Sequence, residues 1–238
     1  MMRFDIITIF PNVLRPYFKE GVISRAQKRK LIRIEIHNLR DWTNDRRKTV
    51  DDKPYGGGLG MVLMVEPILK AVSDAKKKCR LSGSRRKRKV ILLSAKGKKF
   101  DQKMAGRLSK FGQLIVISGR YEGIDERVAK YVADEEVSIG DYILTGGEAP
   151  AMVIVDAVCR LVPGVIKKDS LKDESFSRDG YLEYPHYTRP EKIVIKRKTR
   201  RVPPVLLSGN HKEVENWRKK HSGKRAGARG VDKQYLIL

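Results

Sequence analysis

The sequence is short of three things: cysteines, acidic residues and long apolar runs. Its 238 residues include only Cys79 and Cys159, with no CxxC pair and no histidine at ligand spacing. Two isolated cysteines argue against a disulfide framework and against structural zinc, and they predict a reducing, cytoplasmic location. No apolar run approaches the ~18 residues that a membrane span requires. The N-terminus, with Asp5 inside its apolar stretch, does not resemble a signal peptide. We therefore expect no membrane partner.

Acidic residues are heavily outnumbered, because 28 Asp and Glu stand against 52 Lys and Arg, which gives a net charge of +24. The excess is uneven along the chain. Residues 1–89 carry +14 and residues 188–238 carry +11, whereas residues 90–166 are neutral. A neutral middle between basic ends predicts a pocket domain flanked by polyanion-binding surfaces. The alternative explanation is a general lysine bias of the genome.

Several chemistry-bearing motifs are also missing. The sequence has no P-loop pattern and no GxGxxG after a strand, its four histidines are scattered, and no cluster has metal-ligand spacing. What it does have is two glycine-rich loops, at residues 118–127 and 138–148, each behind an apolar run. Glycine lets a backbone approach a ligand closely. The loops therefore predict a small-molecule cavity, suited to group transfer with a carboxylate as base and an arginine as charge stabiliser.

The apolar pattern predicts an α/β fold. Strands are expected at the N-terminus and at residues 32–36, 90–93 and 114–117, and helices over 11–30, 65–78, 100–110, 124–132, 147–161 and 213–220. Alternating strands and helices imply a parallel sheet with helices on both faces, whose ligands bind beyond the C-terminal ends of the strands. We expect a first domain over residues 1–166, a flexible linker over 167–183, and a small, basic, mostly helical C-terminal domain over 184–238.

The two loops belong to a longer set of motifs. They read GRYEGIDERV (119–128) and SIGDYILTGGE (138–148), and with them occur TVDDKPYGGGLGM (49–61), DAVCRLVPGV (156–165), PHYTRP (185–190) and VPPVLLSGNH (202–211). In this order, over residues 2–222, the set resembles the bacterial tRNA (guanine-N1)-methyltransferases of the SPOUT superfamily.

The resemblance implies a fold and an activity that composition does not reveal. It implies a deep trefoil knot in the parallel sheet domain, and a homodimer whose active sites are shared between chains. It implies S-adenosylmethionine as methyl donor. The substrate would be tRNA with guanosine at position 37, immediately 3′ of the anticodon, methylated at N1. Whether a divalent ion such as magnesium assists stays open.

Carried over residue by residue, the resemblance assigns the donor pocket to the glycines and to the second loop. The implied residues are Leu92, Leu93, Ser94, Gly119, Ile139, Gly140, Asp141, Tyr142, Ile143, Leu144, Gly146 and Gly147, with Gly60 and Glu122 nearby. For Gly146 and Gly147 taken alone, an ordinary loop-to-helix turn is the alternative.

The resemblance also implies the catalytic groups. Arg160 would stabilise negative charge on guanine O6, the alternative being a helix-end arginine paired with Asp156. A carboxylate would remove the N1 proton. Glu174 stands where the family has an aspartate, and Asp173 precedes it, so both remain candidates. For any single acid in the linker, a solvated surface charge is the alternative. Two outer candidates follow in the sequence: Asp179 and Glu183.

Two features depart from the family pattern. Residues 192–201 are more basic and longer than the usual connection there, and the chain beyond residue 222 matches no pattern. Basic clusters at residues 46–48 and 196–201 are candidates for tRNA phosphate contacts, although each alone is also typical of a solvated surface. Two rival functions stay open: a SPOUT enzyme acting on ribose 2′-OH or ribosomal RNA, and an RNA-binding protein without catalysis.

Overall fold

The computed structural model describes residues 1–81, 87–178 and 180–224. The chain forms two compact units, Met1–Ile166 and Lys167–Leu238. No helix in the described ranges is long and apolar enough to cross a membrane.

The first unit alternates strands and helices. Its strands are β1 (Met2–Thr8), β2 (Ile32–Asn38), β3 (Asp51–Asp52), β4 (Val62–Leu63), β5 (Arg88–Lys99), β6 (Gln113–Ile117) and β7 (Glu135–Ser138). Its α-helices are α1 (Pro11–Leu14), α2 (Gly21–Lys28), α3 (Val65–Lys78), α4 (Gln102–Leu108), α5 (Glu126–Tyr131) and α6 (Glu148–Cys159). Short 3-10 turns lie at Tyr17–Lys19 and Leu39–Trp42.

Five of these strands form one sheet, in the order β2-β1-β6-β5-β7, and every neighbouring pair is parallel. The register aligns Ile6 with Val116 and Val116 with Ile91, so apolar residues stack across the middle of the sheet. The predicted parallel α/β sheet is confirmed. Strand β7 was not predicted, because Glu135 and Glu136 interrupt its apolar pattern; it lies at the edge of the sheet and pairs only with β5.

Helices cover both faces of the sheet, so the central strands are buried on both sides. On one face Phe4 and Ile6 of β1 pack in a cluster with the apolar side of α6. On the other face Ile7 and Ile117 pack with Ile68 of α3. This two-sided burial explains why the strands read as continuous apolar runs rather than as alternating patterns.

One buried charge interrupts the apolar strand β1. Asp5 is fully buried and accepts hydrogen bonds from Arg3 at 2.7 Å and Gln113 at 2.8 Å, and its Oδ1 lies 2.7 Å from His37 Nε2. Burial alone would raise the pKa of Asp5, but the hydrogen bonds from His37, Arg3 and Gln113 outweigh it and lower that pKa. The carboxylate is therefore ionised and hydrogen-bonded. Its bonds join β1 to His37 of β2 and to Gln113 of β6.

Two predicted elements differ from the structure by more than a few residues at their ends. The helix expected over residues 11–30 is divided into α1, a 3-10 turn and α2, because Pro16 removes a backbone donor and Gly21 has a positive φ of 61°. The strand expected at residues 90–93 continues to Lys99, and a register shift lets both Leu93 and Lys98 pair with Val137.

The second unit contains α7 (His211–His221) and four short strands, β8 (Tyr181–Leu182), β9 (Lys192–Ile195), β10 (Lys198–Arg201) and β11 (Gly223–Lys224). Strand β10 pairs antiparallel with β9, and β11 pairs antiparallel with β8. The predicted C-terminal helix is confirmed, and Asn210 caps it by accepting from the Glu213 amide. The expectation that this region is mostly helical is only partly met over the described residues, because the cationic segment 192–201 forms a hairpin.

The shift in β5 depends on Gly97. A Cβ at that position would lie 2.4 Å from the Val137 backbone nitrogen, and backbone on both sides leaves no flexible atom to move. We expect Gly97→Ala to lower the free energy of unfolding by about 1–3 kcal/mol through overpacking. Urea denaturation monitored by circular dichroism measures this.

The matched control is Gly106→Ala in α4. Nothing lies within 4 Å of a Cβ there, so alanine should raise the free energy of unfolding by about 0.5–1 kcal/mol through helix propensity. Equal effects of the two substitutions would contradict the close approach at Gly97.

Candidate active site

A cavity of about 310 Å³ lies where three parallel strands meet the loops that follow them. Its walls come from residues 92–96 of β5, from the loop after β6 and from the loop after β7. The carboxyl ends of parallel strands share one edge of a sheet, which is where α/β folds place their ligands. The cavity therefore lies where the sequence pattern predicted it.

Most of the residues implied for the donor pocket line this one cavity. They are Leu92, Leu93, Ser94, Gly119, Glu122, Ile139, Gly140, Tyr142, Ile143, Leu144, Gly146 and Gly147. Gly60 and Asp141 are not among the lining residues. Gly60 lies against the Glu122 side chain, because a Cβ there would come within 2.4 Å of Glu122 Cγ. Asp141 is highly exposed, and its carboxylate lies 3.1 Å from Lys99 Nζ.

The glycine pair before α6 is required by a close approach of two loops. The Gly147 amide donates to the Gly119 carbonyl at 2.9 Å, and a Cβ on Gly147 would lie 2.7 Å from the Ser118 Cα. A Cβ on Gly146 would lie 2.2 Å from Arg120 Nε. Neither position has room for a side chain. The pair is thus more than an ordinary turn, since it lets the loop after β7 lie directly against the loop after β6.

An ion pair between Arg120 and a buried glutamate fixes this contact. Arg120 Nε donates to Glu148 Oε2 at 2.9 Å, and its Nη1 donates to the Thr145 carbonyl at 3.0 Å. Glu148, whose side chain is 3% exposed, also accepts from the Thr8 hydroxyl at 2.6 Å. The guanidinium lies 4.7 Å from the centroid of the Phe10 ring. Together these bonds join the end of β1, the loop after β6 and the start of α6.

Sequence reasoning missed Arg120 although it lies inside the first glycine-rich motif. The signal available was a pair of opposite charges in apolar surroundings: an arginine directly after a buried strand and a glutamate opening an apolar helix. The structure also places Tyr121, with a positive φ of 61°, and Thr145 in the cavity wall. Neither was predicted.

Arg160 ends helix α6 and belongs to the first unit. The alternative interpretation paired it with Asp156, whose carboxylate accepts a hydrogen bond from the Tyr17 hydroxyl.

The hydrogen bond to Asp156 raises the pKa of Tyr17 to about 12, and burial raises the pKa of Cys159 to about 12 as well. Both groups therefore stay protonated near neutral pH, and neither can act as a base or a nucleophile there.

The candidate bases lie in the second unit. Asp173 lies 3.7 Å from the Arg178 guanidinium on an exposed surface. Glu174 precedes a turn, and its carbonyl accepts from the Ser177 amide at 3.0 Å. The outer candidate Glu183 pairs with His186 at 2.9 Å. The other outer candidate, Asp179, lies outside the described residues.

Within the described ranges, no group of three or more His, Cys, Asp or Glu side chains could hold a metal ion.

Removing the Arg120 side chain should destabilise the first unit. Arg120→Ala leaves the Glu148 carboxylate buried without its partner, so we expect the free energy of unfolding to fall by about 3–5 kcal/mol, as measured by urea denaturation. Arg127→Ala is the control, because Arg127 pairs with Asp125 at 2.7 Å but is 60% exposed; its loss should be much smaller. Similar losses for both variants would contradict the structural role of Arg120.

The family model described as "tRNA (Guanine-1)-methyltransferase TrmD" matches residues 2–234. The tRNA (guanine-N(1)-)-methyltransferase of Dictyoglomus turgidum is 52% identical over 226 residues, covering 94% of this chain and 86% of that protein. The protein of that name from Mycoplasmopsis synoviae is 48% identical over 219 residues, covering 92% and 91%. That from Carboxydothermus hydrogenoformans is 51% identical over 222 residues, covering 93% and 83%. On this evidence the chain belongs to the tRNA (Guanine-1)-methyltransferase TrmD family, a family of enzymes.

Proposed function

We propose that this protein methylates N1 of guanosine in tRNA, at position 37 immediately 3′ of the anticodon, with S-adenosylmethionine as the donor. The observation that carries the proposal is the cavity at the strand ends, where twelve of the fourteen residues implied for the donor pocket meet. Membership of a tRNA methyltransferase family supports the substrate class.

The cavity fits such a donor in shape and chemistry. Leu92, Leu93 and Ile139 offer apolar surface for a purine ring, and at the glycines 119, 146 and 147 the main chain lines the cavity without a side chain over it. A purine edge and a ribose are both recognised by apolar surface and main-chain groups. When bound, S-adenosylmethionine supplies an electrophilic methyl group.

The protein's own task is to make guanine N1 nucleophilic. In this proposal a linker carboxylate, Glu174 or Asp173, accepts the N1 proton. Arg160 stabilises the negative charge that then develops on O6, since its guanidinium stays protonated at any working pH. Asp173 lies 3.7 Å from the Arg178 guanidinium, and both acids remain candidates for the base.

The proposal routes no step through a metal ion. Glu122 is exposed at the cavity wall and lies against Gly60. Its carboxylate would contact the polar part of the donor.

We also propose the knot and the homodimer. The knot is proposed from the family to which the chain belongs, and at Gly147 the loop after β7 lies against the loop after β6. The homodimer, with active sites shared between chains, is supported by Tyr55 and Leu59, which lie almost fully exposed in the glycine-rich segment. Large apolar side chains in that state are typical of surfaces that a second chain covers.

The test of the reaction uses labelled S-adenosylmethionine and two tRNA transcripts, one with guanosine 3′ of the anticodon and one with adenosine there. N1-methylguanosine should form in the first transcript only, as detected by nucleoside mass spectrometry. Methylation of both transcripts, or 2′-O-methylation, would point to a different enzyme. Tight tRNA binding with no transfer would leave RNA binding alone.

The same assay identifies the base. Glu174→Gln and Arg160→Ala should each lower kcat by on the order of 10²-fold or more, the range expected for a general base and for a charge stabiliser. Asp169→Asn is the matched control, because Asp169 is an exposed acid of the same segment paired with Lys172, and it should keep full activity. If Asp173→Asn is the more impaired acid variant, Asp173 takes the role of base.

A further inference from the structure

The β9–β10 hairpin, Lys192–Arg201, stands out from the rest of the second unit because all its strand residues are exposed. Its register pairs Ile195 with Lys198 and Ile193 with Arg200. The ten residues carry six cations and no acid. Lys192 lies 4.0 Å from Glu191; no ion pair with a described residue is recorded for the other five cations. The hairpin is therefore an exposed ribbon of concentrated positive charge.

The turn of this hairpin has an unusual composition. Only Lys196 and Arg197 separate the strands, and both have positive φ, 51° and 59°. Positive φ at both central residues defines a type I′ turn, in which Asn-Gly is strongly preferred, whereas residues with a full side chain rarely adopt that conformation. Two cations thus occupy positions that turn chemistry would give to other residues, which points to a role for their charge at the tip.

The strands add an apolar component. Ile193, Val194 and Ile195 are 49%, 69% and 48% exposed, so both faces of the ribbon present aliphatic surface between cations. Consecutive exposed apolar residues are unusual on a monomer and mark interaction surfaces. β-Branched side chains also favour the strand conformation. A cationic ribbon with aliphatic side chains suits a groove of nucleic acid, where phosphates border the sugars.

We propose that the β9–β10 hairpin is an RNA-contacting element whose tip cations bind phosphates of the tRNA and contribute to its affinity rather than to methyl transfer. The proposal rests on the proposed function, because that function supplies tRNA as the polyanion. Contacts of this kind release counterions and make binding salt-dependent, with a slope of roughly 0.7–0.9 per phosphate in log K against log salt.

The sharpest variant replaces the tip with the residues that the turn itself prefers, Lys196→Asn with Arg197→Gly. It removes two charges while favouring the hairpin. Filter binding of an unmodified tRNA transcript, without methyl donor, should show an affinity on the order of tenfold lower at 0.15 M salt and a salt slope smaller by about 1.5. KM for tRNA should rise, while kcat and KM for S-adenosylmethionine stay unchanged.

The matched control removes two charges from the first unit, Lys77→Gln with Lys130→Gln; both side chains are exposed. It should change the salt slope much less. In a second variant, Lys198→Thr with Arg200→Thr, threonine replaces two cations of β10 and keeps the preference for a strand. This variant should also bind tRNA more weakly.

Equal tRNA affinity and salt slope for the tip variant and the control would overturn the proposal, as would a wild-type protein that does not bind tRNA. If the tip variant changed only the sedimentation behaviour of the protein, the hairpin would be a contact between protein chains. That result would overturn the proposal as well. If the wild type binds tRNA through the hairpin yet transfers no methyl group, the proposed function fails while the hairpin contact stands.

Discussion

The ion pair of Arg120 with the buried Glu148 is the interaction on which the cavity depends. It joins three segments that are distant in sequence: the end of β1 through Thr8, the loop after β6, and the start of α6. Charges taken out of water are tolerated only when they are paired and further hydrogen-bonded, and here Thr8 and the Thr145 carbonyl supply those bonds. The glycines at 146 and 147 give the pair its room. The geometry of the cavity wall thus depends on one hydrogen-bonded ion pair and on two glycines, which have no side chain.

The charge pattern separates the cavity from the cationic parts of the chain. The part of the chain that forms the cavity, residues 90–166, is neutral, and in our proposal it holds the methyl donor. The cations concentrate elsewhere, in residues 1–89 and 188–238, where they suit a polyanionic substrate. In our proposal the linker acids and Arg160 complete the chemistry on the bound guanine. Because tRNA affinity and methyl transfer then depend on different residues, the hairpin can change without disturbing the reaction.

The sequence allowed much of the fold to be predicted, for physical reasons. Helix α3 begins and ends at the predicted residues because its apolar stripe is regular and its last turn carries lysines that favour the helix dipole. Strand β7 escaped prediction because Glu135 and Glu136 occupy an edge strand, and the β9–β10 hairpin did so because cations dominate its composition. The donor loops were recognised from motifs, whereas Arg120 was not, since its role depends on a partner 28 residues away. A knot depends on how loops cross in space, which local pattern does not determine.

The central claim is that the cavity at the strand ends holds the methyl donor, and a crystal structure of the protein with S-adenosylhomocysteine tests it most directly. The account predicts density for the ligand between Gly119 and the loop of residues 139–147, with its purine against Leu93 and Ile139 and its polar groups on backbone atoms. Density at another place on the protein, or an empty cavity at a concentration where calorimetry shows the protein saturated, would contradict it.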